Sequence, residues 1–350
     1  MESVASRPMT IRHELLGEMR VPVFGDVERA ALRLRRYTRH TQLLRSPLLD
    51  EIVGGSVWIK PECLQVTGSF KVRGAINALL SLEPAQRARG VVAYSTGNHG
   101  QAIAWAARQT GMDATIVMPA DAPKNKVAKA LRHGARVSFY DRHAESREAI
   151  AMRLSAGTGG VLVPPGDHPD VLAGQGTLAL EALRDLPPQA LERLHTFIAP
   201  CGGGGLLASA GLVLEHLSSR TRIVAVEPAG FDDTARSLTT GNREANDGMS
   251  RSICDALLAA TPAELPFAIN QRLLSEGLCV TDAEVAAAMV FALEELHLVV
   301  EPGGAVALAA LLSGRVTLGD KDAIVVLSGG NVDLPMLHAQ MGRHAATAAR

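Results

Sequence analysis

The chain has 350 residues, enough for one large domain or two moderate ones, and 47% are hydrophobic, which allows a sizeable core. Its 35 basic and 36 acidic residues leave a formal charge of −1, and the absence of a long basic run disfavours a nucleic-acid partner. The N-terminal segment lacks the apolar stretch of a signal peptide, and no apolar run of about 18 residues predicts a membrane span.

The cysteines bear on the compartment. Cys63, Cys201, Cys254 and Cys279 are widely spaced and match neither a zinc pattern nor a disulfide framework. A reducing, cytoplasmic location is therefore expected.

Short strands and helices are predicted to alternate along the chain. Predicted strands cover residues 91–94, 114–118, 136–139, 161–163, 196–199, 223–227 and 323–327. Predicted helices begin near 99 and cover about 124–133, 143–155, 206–217 and 281–296, the last with a Thr281–Glu284 capping box. This alternation favours βαβ units, parallel sheets and two α/β lobes, with only the two termini irregular.

The first segment that could take part in a reaction is TGSFKVRGA, residues 67–75, where Lys71 follows Phe70 at an apolar helix start. Burial would lower the lysine pKa and make its amine a nucleophile suited to a Schiff base. Taken alone, the segment is more typical of an exposed lysine.

The next segment, STGNHG at residues 95–100, follows a predicted strand and opens a helix. Such loops bind ligands in open α/β sheets, and hydroxyl, amide and helix-start N–H groups can hold a carboxylate. An ordinary N-cap explains the segment equally well, and a lone His99 is more typical of a structural histidine.

A run of four glycines, residues 202–205, joins a predicted strand to a predicted helix. Its backbone N–H groups can converge on an anion, and the helix dipole adds to that attraction. The segment matches neither the GxGxxG nor the GxxxxGK[ST] pattern. A phosphate cradle is favoured over a flexible turn because four glycines are entropically costly. The later segment LSGGN, residues 327–331, is also a strand leading into a glycine turn. Alone, it is weak evidence for a binding site.

Together, these segments resemble the fold-type II pyridoxal-phosphate enzymes of the threonine/serine dehydratase and serine racemase branch. The resemblance extends from about Arg36 to Leu334. Its motifs occur in family order: TGSFKVRGA (67–75), STGNHGQA (95–102), AGQGT (173–177), PCGGGGLLA (200–208), AVEP (225–228) and LSGGNVD (327–333).

The resemblance implies an α/β fold of two open parallel-sheet lobes, similar to the tryptophan synthase β chain, with the active site between them. Residues 1–89 and 166–350 would form a large domain that binds the cofactor. Residues 90–165 would form a small, mobile domain. Most relatives are dimers, so a homodimer is expected.

The resemblance also assigns roles around pyridoxal 5'-phosphate. Lys71 would form a Schiff base with the cofactor and move protons at the substrate α-carbon, with Thr96 as a second catalytic group. The expected cofactor contacts are Phe70 beside the ring, Asn98 at the ring hydroxyl, Gly202, Gly203, Gly204, Gly205 and Leu206 at the phosphate, and Ser328 at the pyridine nitrogen. The substrate carboxylate would bind Ser95, Thr96, Gly97, Asn98 and His99.

Two of these implied positions affect the predicted reaction. A serine hydroxyl at position 328 cannot keep the pyridine protonated as a carboxylate would, so the ring is a weaker electron sink, which suits β-elimination. Thr96 stands where the racemases carry a serine base and simple dehydratases often carry alanine. Racemisation is therefore doubtful.

A cation site is also implied by the similar racemases, with Glu227, the Phe231 carbonyl and Asp233 as ligands. Such oxygen ligands suit Mg²⁺ or Ca²⁺. Without the resemblance, this acidic segment is more typical of a solvated turn.

The predicted activity is elimination of water from a β-hydroxy amino acid of the threonine or serine type, giving a 2-oxo acid and ammonia. Alternatives are a serine-racemase-like racemase, a hydroxyectoine-pathway or 3-hydroxyaspartate dehydratase, and a β-replacement enzyme. A 3-hydroxyaspartate enzyme would need an extra cation in its pocket, and the sequence does not locate one. A non-enzymatic amino-acid-binding protein is disfavoured because Lys71 and the glycine run are intact.

Overall fold

The computed structural model describes residues 9–95, 97–122, 124–141 and 144–348. Its strands form one antiparallel hairpin and two parallel sheets. In chain order the strands are β1 (Thr10–His13), β2 (Gly17–Arg20), β3 (Ser56–Pro61), β4 (Val91–Tyr94), β5 (Ala114–Pro119), β6 (Arg136–Tyr140), β7 (Val161–Leu162), β8 (Leu194–Pro200), β9 (Arg222–Pro228), β10 (Glu276–Val280) and β11 (Asp322–Leu327).

Helices precede, connect and follow the strands of these sheets. They are α1 (Phe24–Leu34), α2 (Pro47–Val53), α3 (Lys71–Ser81), α4 (Pro84–Arg87), α5 (Asn98–Thr110), α6 (Lys124–Arg132), α7 (Arg147–Thr158), α8 (Pro169–Asp185), α9 (Pro188–Arg193), α10 (Gly205–Leu217), α11 (Asp233–Thr240), α12 (Glu264–Leu273), α13 (Asp282–Glu294), α14 (Pro302–Leu312) and α15 (Leu334–Ala348). No helix within the described ranges is both long and apolar enough to cross a membrane.

The larger sheet has the strand order β10-β9-β8-β11-β3, and each neighbouring pair is parallel. Strand β11 is buried along its whole length. One apolar cluster packs α13 and α14 against the sheet, and another packs α8 and α10 against it. Helices on both faces explain why the central strands are continuously apolar rather than alternating.

The smaller sheet has the order β6-β5-β4-β7, also parallel, and uses residues between 91 and 162. Helices α3 and α5 contribute to the apolar cluster on one side, and α7 contributes to the other. The two-sheet α/β fold expected from the sequence is confirmed. The proposed division into domains at residues 90 and 165 stays a prediction.

Most predicted elements agree with the structure to within one or two residues at each end, and two expectations differ by more. The helix expected from about residue 143 is α7, which begins at Arg147 because the Ser146 hydroxyl accepts a hydrogen bond from the Ala149 N–H and caps it. The termini are also more regular than expected, since residues 10–20 form the β1–β2 hairpin and residues 334–348 form α15. The predicted capping box at Thr281 is confirmed.

Candidate active site

A cavity of about 470 Å³ lies where β4, β8 and β11 end. The carboxyl ends of parallel strands are the usual position of a ligand site in open α/β sheets. The predicted residues that line this cavity are Phe70, Lys71, Ser95, Gly97, Asn98, His99, Gly202, Gly203, Gly204, Gly205, Leu206 and Ser328. The structure therefore brings together four segments that are distant in sequence. Thr96, predicted as a catalytic and substrate-binding residue, lies outside the described residues.

Lys71 is the first residue of α3 and lies against the cavity. Its Nζ donates a hydrogen bond to the Pro165 carbonyl at 2.9 Å and lies 5.1 Å from the centroid of the Phe70 ring. Burial lowers the pKa of Lys71 to about 8. A larger fraction of the amine is then unprotonated near neutral pH than in an ordinary lysine, which favours its action as a Schiff-base nucleophile.

The glycine run forms the turn between β8 and α10. Gly204 has a φ of +83°, and a Cβ there would lie 2.6 Å from Asn270 Nδ2, so a side chain is excluded on both grounds. Asn270 fixes this turn because its Nδ2 donates to the Gly204 carbonyl at 3.0 Å. The N-terminus of α10 thus lies at the cavity. The backbone N–H groups of a first helical turn have no partner within the helix, and this chemistry fits a phosphate.

The segment before Lys71 is held against the end of β11. Phe70 donates its N–H to the Ser328 carbonyl at 3.1 Å, and Gly330 donates to the Gly68 carbonyl at 2.8 Å. Ser328 itself is 6% exposed. These backbone bonds fix the position of the serine relative to Lys71.

The loop after β4 is ordered by its own side chains. Ser95 Oγ accepts the Gly97 N–H at 3.1 Å, and α5 begins at Asn98. Asn98 Oδ1 accepts from Asn331 Nδ2 at 2.9 Å, while Asn98 Nδ2 donates to Glu301 Oε1 at 2.6 Å. Both ends of this amide are therefore oriented by neighbouring side chains.

His99 is buried below the same loop. Burial and the nearby Lys71 lower its pKa to about 3, so the ring is neutral. Its Nε2 lies 2.9 Å from the Val163 carbonyl and donates to it, which leaves Nδ1 as an acceptor with no partner among the described residues. Such a ring cannot donate a proton to a carboxylate in this state, and the predicted substrate role of His99 stays a prediction.

Glu301 is a cavity residue that the sequence analysis missed. It is the N-cap of α14, is 4% exposed and accepts the hydrogen bond from Asn98. Burial raises its pKa to about 7. The only sequence signal is an isolated acid before Pro302 in an apolar stretch, and that pattern by itself indicates only a helix start.

Two arginines also line the cavity and were not predicted there. Arg147, at the start of α7, donates from Nε to Glu148 Oε1 at 2.8 Å and lies 5.5 Å from the centroid of the Tyr94 ring. Arg243 donates from Nε to the Pro262 carbonyl at 2.8 Å. The structure thus supplies the extra pocket cations that the sequence did not locate.

Arg73, two residues after Lys71, is at the centre of an ionic network in which Arg73, Glu62 and Lys60 are fully buried and Glu181 is partly exposed. Its guanidinium donates to both Glu62 oxygens at 2.7 and 2.8 Å and to both Glu181 oxygens at 2.8 and 2.7 Å. Lys60 Nζ donates to Glu181 at 2.9 Å and to the Thr41 carbonyl at 2.7 Å. This network ties α3 to β3 and α8.

The predicted cation ligands lie at the end of β9, beside α11. Glu227 accepts the N–H groups of Thr234 and Ala235, both at 2.9 Å. Asp233 accepts from Asn246 at 2.7 Å through Oδ1, while its buried Oδ2 has no partner in the part of the chain that the structure describes. Burial raises the pKa of both acids, with the Asp233 charge adding to the effect at Glu227, to about 8 for Glu227 and about 6 for Asp233.

The donor set at this position is compatible with a cation but incomplete. A positive ion would give the buried Asp233 Oδ2 a partner. It would also stabilise the charged forms of Glu227 and Asp233, whose pKa values are raised. Across the ranges that the structure describes, no group of three or more His, Cys, Asp or Glu side chains has metal-binding geometry.

The chain was compared with known proteins. Residues 34–330 match the family described as pyridoxal-phosphate dependent enzyme. The L-threo-3-hydroxyaspartate ammonia-lyases of Saccharomyces cerevisiae and a Pseudomonas species are 39% and 42% identical over 90% of this chain, covering 95% and 97% of those proteins. The structure of maize serine racemase has 33% identity and a TM-score of 0.85, covering 94% of this chain and all of that one. The chain therefore belongs to the pyridoxal-phosphate-dependent enzymes and is an ammonia-lyase among them.

Proposed function

We propose that the substrate is a β-hydroxy amino acid with a second carboxylate, of which 3-hydroxyaspartate is the first candidate. The observation that carries this proposal is the presence of Arg147 in the same cavity as Lys71. Arginine binds carboxylates through a planar set of donors, and such pairs are stronger than neutral hydrogen bonds. The names of the two ammonia-lyases described above support the same substrate.

We also propose how the cavity residues hold the cofactor. The backbone N–H groups of residues 202–206 would bind the phosphate, and Lys71 would bind the aldehyde carbon. Asn98 would contact the ring hydroxyl and Ser328 the ring nitrogen, with Phe70 packed beside the ring. The fit of the glycine turn, which excludes side chains and presents a helix N-terminus, supports this arrangement.

When bound, pyridoxal phosphate supplies an electron sink for the bonding pair at the substrate α-carbon. Lys71 then accepts the α-proton, which its lowered pKa permits. The loop of residues 95–99 would hold the α-carboxylate, and Arg147 would hold the second carboxylate. Loss of the β-hydroxyl as water and addition of water to the resulting imine give a 2-oxo acid and ammonia.

The substrate assignment can be tested by ammonia release. The purified enzyme is incubated with L-threo-3-hydroxyaspartate, L-threonine, L-serine, phenylserine and the hydroxyectoine-derived amino acid. We expect the highest kcat/KM with 3-hydroxyaspartate. Faster turnover of threonine or serine would show that the second carboxylate is not required.

Arg147→Met tests the residue that carries the proposal. Loss of a charge-assisted hydrogen bond is worth about 1.5–3 kcal/mol, so kcat/KM for 3-hydroxyaspartate should fall roughly tenfold to a hundredfold. The value for serine should change much less. Arg153→Met is the matched control, because Arg153 lies on the same helix, is exposed and does not line the cavity. An equal loss with both substrates would contradict the assignment.

Racemisation is the second candidate, supported by the similarity to maize serine racemase. The same incubations followed by chiral chromatography distinguish the two activities. Formation of the D-isomer without ammonia would favour the racemase.

Three further properties are proposed. Glu227, the Phe231 carbonyl and Asp233 would bind Mg²⁺ or a similar cation, supported by the unpartnered Asp233 oxygen. A homodimer is proposed from the resemblance and can be tested by light scattering. A reducing compartment such as the cytoplasm is proposed because all four cysteines are free thiols.

A further inference from the structure

The β1–β2 hairpin lies outside the family match, which begins at residue 34. Its strands pair from Thr10 with Arg20 to His13 with Gly17, leaving residues 14–16 as the tip. Met19 is buried in an apolar cluster with Leu265 and Ile269 of α12. The hairpin is therefore packed at one defined position on the body of the protein.

His13 fixes the tip internally. It is 7% exposed, and its Nδ1 accepts the N–H groups of Leu15 and Leu16, both at 3.1 Å. Because Nδ1 is the acceptor, the ring proton lies on Nε2. This proton faces Asp167 Oδ2 at 3.3 Å and Glu264 Oε1 at 3.9 Å.

The same two acids connect the tip to the walls of the cavity. Glu264 Oε2 accepts the Glu14 N–H at 3.0 Å. Asp167 Oδ1 accepts the Leu265 N–H at 2.9 Å. Asp167 also lies two residues after Pro165, the residue whose carbonyl accepts the hydrogen bond from Lys71. His13 thus positions the tip on the loop that contacts the reactive lysine.

The position of the tip gives it a role in selectivity. His13, Glu14 and Leu15 line the cavity that contains Lys71. Leu15 is 52% exposed, so about half of this large apolar side chain is open to solvent. We propose that the hairpin tip is a wall of the substrate pocket, with Leu15 limiting the size of the substituent on the substrate β-carbon and His13 acting as its positioning residue.

This inference rests on the cavity assigned under the proposed function, but its test does not use 3-hydroxyaspartate. The measured quantity is the ratio of kcat/KM for phenylserine to kcat/KM for serine. Both substrates share the reacting atoms and differ in the bulk on the β-carbon. If neither is turned over, the ratio of their dissociation constants is taken from the change in cofactor absorbance on binding. The failure of 3-hydroxyaspartate as a substrate therefore leaves this test intact.

Leu15→Ala is the first variant. Because about half of the Leu15 side chain is exposed, this substitution should not prevent folding. Since a methylene in an apolar pocket is worth about 10- to 200-fold in discrimination, we expect the ratio to rise by about tenfold or more. The control is Leu217→Ala, because Leu217 is 41% exposed and lies at the end of α10 remote from the glycine turn. The ratio of kcat/KM for phenylserine to kcat/KM for serine in this control variant should match that of the unmodified enzyme.

His13→Ala tests the positioning role, with His40→Ala as its control. His40 makes a comparable histidine–carboxylate pair with Asp185, at 2.8 Å, outside this cavity. We expect His13→Ala to raise the ratio in the same direction as Leu15→Ala, with the cofactor absorbance unchanged, and His40→Ala to leave it unaltered. An unchanged or lower ratio in the Leu15 variant would overturn the proposal. A ratio altered equally by the control variants would also overturn it.

Discussion

Arg73→Met is the substitution whose effect on stability follows most directly from the structure. Methionine fills a similar volume but removes a guanidinium that donates to all four oxygens of Glu62 and Glu181. Glu62 is fully buried and would retain only the Thr41 hydroxyl, at 2.5 Å, as a side-chain donor among the described residues. Lys60 would still compensate one of the two carboxylates. One buried negative charge is therefore left without a counter-ion.

The magnitude follows from that uncompensated charge. Breaking a buried ion pair by removing one partner costs about 3–5 kcal/mol. An unfolding entropy of about 2.1 cal/mol/K per residue gives roughly 0.7 kcal/mol/K for a chain of this length, so the melting temperature should fall by about 4–7 °C. The double variant Arg73→Met with Glu62→Gln should recover part of this loss because the buried charge is removed as well.

The assay is thermal unfolding of the cofactor-loaded enzyme, followed by circular dichroism. Arg222→Met is the matched control, since Arg222 pairs with Glu276 at 2.6 Å but both side chains are more than a third exposed. A surface ion pair of this kind contributes about 0–1 kcal/mol to the free energy of unfolding. Equal melting temperatures for the Arg73 and Arg222 variants would refute the reasoning, as would no recovery in the double variant.

Two further predictions concern Lys71 and the acids at the end of β9. Lys71→Ala should abolish both the absorbance of the Schiff base between lysine and cofactor and ammonia release, and retained turnover would remove Lys71 from the reaction. In the absence of divalent cations, the contribution of Glu227 and Asp233 to stability should fall as pH rises from about 5 to 8. The reason is that the folded-state pKa values of Glu227 and Asp233, about 8 and 6, lie above the ordinary 4.5 and 3.8, so the folded protein retains protons that the unfolded chain releases. Thermal melting should show a shallower pH dependence in Glu227→Gln and less stabilisation by added Mg²⁺, and identical profiles would contradict the raised pKa of Glu227.

The sequence predicted the central sheets well because their strands have a strong local signal. Residues 91–94 were predicted as a strand, and β4 has the same bounds. The parallel strands β8, β9 and β11 are nearly continuous apolar runs, as expected where helices cover both faces of a sheet. Apolar runs of this kind can be recognised in the local sequence, without knowledge of which strands they pair with.

The hairpin at residues 10–20 has no comparable signal. Its strands read TIRH and GEMR, which alternate weakly and are mostly polar. They are stabilised by packing against α12, about 250 residues further along the chain, as the bond between Glu14 and Glu264 shows. Local propensity contains no information on such a contact.

The same distinction separates the two halves of the candidate site. The proposed cofactor contacts come from backbone groups and from side chains next to strand ends, where a glycine run or a strand–turn–helix pattern is visible locally. The residues proposed to recognise the substrate side chain, Arg147 and the hairpin tip, come from segments with ordinary surface sequences. They reach the cavity only through tertiary packing. For this reason the motifs identify the cofactor and the type of reaction, whereas the choice of substrate depends on side chains whose position only the folded structure reveals.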